Sequence, residues 1–68
     1  MNQKQILQGQ IIESLPDTTF NVRLDDGREI LAHLAGKMRL NYIRVIPGDK
    51  VQVELGPDGK RGRIVRRL

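Results

Sequence analysis

The side chains that could do chemistry here are cationic, and they crowd into one half of the chain. Lys37, Arg39 and Arg44 sit in and just beyond one segment, and Arg63, Arg66 and Arg67 lie at the end. Such groups grip phosphate oxygens, the arginine fork holding two at once. From Lys37 onward nine basic side chains stand against three acidic ones, a net of +6; up to Gly36 three basic stand against five acidic, a net of −2. That polarity points to a polyanionic partner, with nucleic acid the first candidate. A surface serving solubility alone intersperses the two signs, whereas Arg61, Arg63, Arg66 and Arg67 have no acid among them.

Other chemistries are poorly supplied. With no cysteine and a single histidine, His33, neither a disulfide, nor thiol chemistry, nor a Cys/His zinc site can be assembled. His33 and the lone serine, Ser14, fall on different predicted strands, and Asp25 and Asp26 read as turn formers. The sequence lacks G-x-x-x-x-G-K-[ST] and G-x-G-x-x-G. Residues 1–5 are largely polar and no apolar run reaches membrane-spanning length, so no signal peptide, anchor or membrane partner is expected. The reading is a binding protein and not an enzyme, with no catalytic residue, metal or cofactor.

The elements that must position the cations are short. Turn signals recur at Leu15-Pro16-Asp17-Thr18, Asp25-Asp26-Gly27-Arg28, Pro47-Gly48-Asp49 and Gly56-Pro57-Asp58-Gly59. Between them Phe20, Val22 and Leu24, then Ile30, Ala32 and Leu34, then Val51, Val53 and Leu55 recur with the period of two that marks half-buried strands. The run from Ile6 to Leu15 alternates less cleanly, and Gly9 inside it predicts a bend or bulge. In the last run, Arg63 to Arg67, adjacent Ile64 and Val65 leave the inward face ambiguous unless a bulge follows Gly62. The segment from Ala35 to Arg44 has no two-residue period and predicts a short helix, held by Met38 and either Tyr42 or Ile43 in the core, with Lys37 and Arg44 on one face.

The fold expected is therefore all-β, a five-stranded OB-type barrel with a short helix between strands 3 and 4, one domain over residues 1–68. On such a barrel Asn21, Arg23, Leu31 and His33 point outward from strands 2 and 3, the usual oligonucleotide face. Aromatic rings are scarce, only Phe20 and Tyr42, so a structured RNA read by its shape and phosphates suits this surface better than a free single strand. A general single-stranded RNA-binding or RNA-chaperone OB module is the alternative.

Two blocks, A-G-K-M-R-L-N-Y-I-R-V-I-P-G-D-K-V from Ala35 and E-S-L-P-D-T-T-F-N-V-R-L-D-D-G from Glu13, closely resemble translation initiation factor one of bacteria and plastids. The resemblance runs from about Gly9 to Arg67 and implies an S1-like OB barrel, monomeric in isolation, in the cytoplasm or plastid stroma. It further implies binding to 16S RNA at the decoding A site of the small ribosomal subunit, blocking premature tRNA entry and assisting the other initiation factors. By matched position and charge, the RNA-binding set is Lys37, Met38, Arg39, Leu40, Asn41, Arg44, Arg63, Arg66 and Arg67, with Arg23 and His33 as further RNA or ribosomal-protein contacts. Four departures stand out. Ala35 replaces the usual helix-capping Ser, Leu40 a common basic residue and Arg66 a usual aromatic, and the loop over residues 56–61 is shortened.

Overall fold

The computed structural model describes residues 5–41 and 43–68. Its elements run β1 (Gln5–Leu15), β2 (Thr19–Leu24), β3 (Glu29–Leu34), α1 (Gly36–Leu40), β4 (Lys50–Leu55) and β5 (Arg61–Arg67). The strands close in the order β1-β2-β3-β5-β4, with β4 returning to β1 and a parallel β3–β5 pair completing the ring. This is the expected barrel. Closure removes free strand edges, which lets so short a chain keep an all-β core.

The core follows the alternation. Phe20, Val22, Leu24, Ile30, Ala32, Leu34, Val51 and Val53 all point inward, joined by Ile11 and Ile64. Two sequence expectations about irregularities are displaced. The bulge in β1 falls not at Gly9 but at Ile12, where the register against β2 slips between Ile11 and Glu13. Gly9 instead lies opposite Leu24 of β2 and Val51 of β4, on the stretch of β1 paired on both sides. A Cβ there would lie 2.7 Å from Val22 Cγ1 and 2.8 Å from the Arg23 carbonyl oxygen, so close approach of backbones explains this glycine. In β5 the slip comes at Val65, since Gln52 faces Arg66 while Val53 faces Ile64. Ile64 is thereby buried and Val65 left half-buried.

The turns use the residues that the sequence singles out. Asp58 Oδ1 accepts from the Lys60 and Arg61 backbone N–H groups, and these bonds hold its carboxyl below the usual aspartate range. Asp26 is lowered likewise by the Arg28 backbone N–H, helped by the Arg28 guanidinium.

The helix is shorter than expected. Instead of reaching Arg44 it stops at Leu40, and residues 43–46 have no regular structure. Ala35 gives the N-terminus no side-chain cap. At the other end the Ile43 N–H donates to the Met38 carbonyl at 3.0 Å, satisfying one of the carbonyls that a helix end leaves open. Met38 plugs the barrel, and Ile43 packs partly against the same core; the alternative plug, Tyr42, lies outside the described residues.

Candidate nucleic-acid interface

The segment that follows β3 is anchored by apolar residues and presents its charges outward. Ala35 N–H bonds to the Ile64 carbonyl of β5, and Met38, 1% exposed, enters the core. Helical geometry then leaves Lys37, Arg39 and Leu40 in solvent, Leu40 at 79%. Because α1 ends early, Lys37 and Arg44 do not share a helix face as the spacing predicted. Both line an open groove of about 810 Å³. Lys37, Asn41 and Arg44 form one wall, Arg66 and Arg67 of β5 the other, and Met38, Ile43 and Val65 supply apolar surface.

No acidic side chain among the described residues lines this groove. Among the described residues Lys37, Arg39, Arg44, Arg66 and Arg67 form no ion pair. Elsewhere four cations are matched, Arg23 with Glu29 at 3.5 Å, Arg28 with Asp26 at 2.8 Å, Lys50 with Asp25 at 3.8 Å and Arg63 with Glu54 at 2.7 Å, while Lys60 and Arg61 at the β4–β5 turn form no ion pair among the described residues. Five of the second half's unpaired cations thus lie on or beside one concave surface, with Lys60 and Arg61 apart from it. Its dimensions and mixed lining, cationic wall over apolar floor, suit a phosphate-bearing chain with exposed bases.

A family model described as translation initiation factor 1A / IF-1 matches residues 1–68, the full chain. The chain belongs to this family. As a translation initiation factor it is also close in structure to translation initiation factor one from the Wolbachia endosymbiont strain TRS of Brugia malayi, whose solution structure is 41% identical with a TM-score of 0.78. That match covers 96% of this chain and 78% of the other. YjeQ from Thermotoga maritima is 26% identical with a TM-score of 0.77, over 94% of this chain but 23% of YjeQ, so the likeness is to one part of that protein.

Within this initiation factor the expected site residues separate. Lys37, Met38, Asn41, Arg44, Arg66 and Arg67 are brought together, Met38 as a buried floor and not as a surface contact. Arg39 and Leu40 lie exposed on α1 outside the groove lining. Arg63 is diverted: its Nη2 donates to Glu54 Oε1, and its Nε is buried with no hydrogen-bond partner among the described residues. Arg23 and His33 stand on the outer β2–β3 face, Arg23 matched by Glu29 and His33 beside Arg63 in the parallel register. Asn21 on that face donates to Glu13 Oε1 at 2.7 Å. Sequence reasoning missed Ile43 and Val65 as groove residues. Their apolar character signalled core, and only the half-burial left by the helix stop and the β5 bulge brings them to the groove.

Proposed function

We propose that this initiation factor acts by occupying the decoding A site of the small ribosomal subunit, with the groove between α1 and β5 laid against 16S RNA. Occupancy blocks premature tRNA entry and assists the other initiation factors; no catalytic step is required, and the site of action is the cytoplasm or plastid stroma. The observation that carries this reading is the contrast in charge matching. Lys37, Arg44, Arg66 and Arg67 converge without acids, whereas beside the outer strand face customary for OB barrels Arg23 is matched by Glu29 and Arg63 by Glu54. Phe20 is buried and offers no stacking surface to a free single strand. Cosedimentation with purified small subunits, with and without tRNA in the A site and with and without the other two factors, tests the proposal. Binding is expected to be lost when tRNA holds the A site and strengthened by the other factors. Equal affinity for a short unstructured RNA would favour the general RNA-chaperone reading.

A further inference from the structure

Arg67, the last residue of β5, does not simply extend into the groove. Its Nη1 donates to the backbone carbonyl of Arg44 at 3.1 Å, a bond between residues 23 apart in sequence. Residues 43–46 belong to no helix or strand. Ile43 N–H bonds back to Met38, and Ile46 N–H bonds forward to Asp49 Oδ2 within the same connection. Among the described residues, the Arg67 guanidinium supplies the only hydrogen bond tying residues 43–46 to a strand. Buried Val45 anchors the segment by packing, but packing at Val45 leaves rotation of the preceding peptide open. A charged donor on the Arg44 carbonyl restricts that rotation, and charge-assisted bonds are roughly twice as strong as neutral ones.

We infer that Arg67 is a positioning residue: it pins the Arg44 peptide so that the Arg44 side chain is presented across the groove, and its effect on RNA binding passes through Arg44. This rests on the reading that the groove meets RNA, and it assigns different jobs to two arginines that sequence places in one set. Arg44 has a backbone held from below and an exposed side chain with no ion pair among the described residues, the arrangement of a direct phosphate contact. Arg67 has one guanidinium nitrogen already committed to protein.

The test has two arms. In the free full-length protein, Arg67→Met is expected to lower the backbone order parameters of Arg44 and Val45 from about 0.85 toward 0.6, the values separating rigid from flexible backbone. Arg67→Lys, which keeps a donor, restores them partly, and strand amides elsewhere report that the barrel is intact. On small subunits, Arg44→Met is expected to reduce the slope of log affinity against log salt by about 1. Arg67→Met in the wild-type background weakens binding, whereas added to Arg44→Met it changes affinity less than about twofold, because residues acting through one another are not additive. Unchanged order parameters, or losses that multiply with a further drop in salt slope, overturn the inference. If the wild-type protein fails to bind small subunits at all, the proposed function falls, and the order parameters alone still decide whether Arg67 holds Arg44.

Discussion

Arg63 Nη2 donates to Glu54 Oε1 at 2.7 Å directly across the β4–β5 ladder, and the Glu54 side chain is only 19% exposed. One arginine of the basic C-terminal run is therefore committed to the barrel wall. Glu54→Ala strands a half-covered guanidinium whose Nε is already unbonded among the described residues. The expected cost is about 1–3 kcal/mol, read as a lowered thermal midpoint by circular dichroism. Small-subunit affinity of the folded variant is expected to stay within about threefold of wild type, and Arg63→Ala to weaken binding less than Arg44→Ala. A larger binding loss at Arg63 than at Arg44 contradicts this division.

Lys37, Arg39 and Arg44 are exposed and free of ion pairs among the described residues. Exposed substitutions away from such features change stability by no more than about 0.5 kcal/mol each. The triple change to Ala is expected to leave the melting curve nearly in place and to abolish cosedimentation at moderate salt. Persistent binding would move recognition away from these three cations to β5, with Arg66 foremost.

Leu40 and Met38 lie two residues apart on opposite sides of α1, at 79% and 1% exposure. Leu40→Lys is accordingly expected to alter folding by less than about 0.5 kcal/mol. It also adds a cation beside the groove, steepening the salt dependence of subunit binding by about 1 in slope. Met38→Ala removes the plug and costs roughly 2–5 kcal/mol, a large share of a small domain's stability. Chemical denaturation of both variants checks the contrast; equal costs would be incompatible with the observed helix phase.

Gly9 faces backbone as well as side chain, since the nearest atoms to an added Cβ include the Arg23 carbonyl oxygen at 2.8 Å. A rotamer change at Val22 cannot relieve that contact. Gly9→Ala is expected to destabilise by roughly 1–3 kcal/mol through strand separation. Amide shifts confined to β1, β2 and β4 would locate the effect, and a wild-type melting point for Gly9→Ala would refute the close-approach explanation.

The strand content was legible because strands with one wet and one dry face write a two-residue period into the chain, as Phe20, Val22 and Leu24 do inside β2. The polarity of charge was equally legible, and so was the cationic set around α1. Three features were not. Ile64 and Val65 are adjacent and both apolar, so only the slip against Gln52 and Val53 decides which one turns inward. The end of α1 depends on a bond from Ile43 back to Met38, a choice that local helix propensity does not encode.

Charge matching was the third. By sequence Arg23, Arg63, Arg66 and Arg67 are alike, yet Arg23 meets Glu29, Arg63 meets Glu54, Arg67 meets the Arg44 carbonyl, and Arg66 lines the groove without an ion pair among the described residues. The amino-acid sequence by itself determined that this protein would be a small strand-rich barrel with a cationic half suited to polyanions. Tertiary structure alone decided which cations remain available, because an ion pair forms between side chains a few ångströms apart, and across closed barrel strands that proximity is set by register and not by position along the chain.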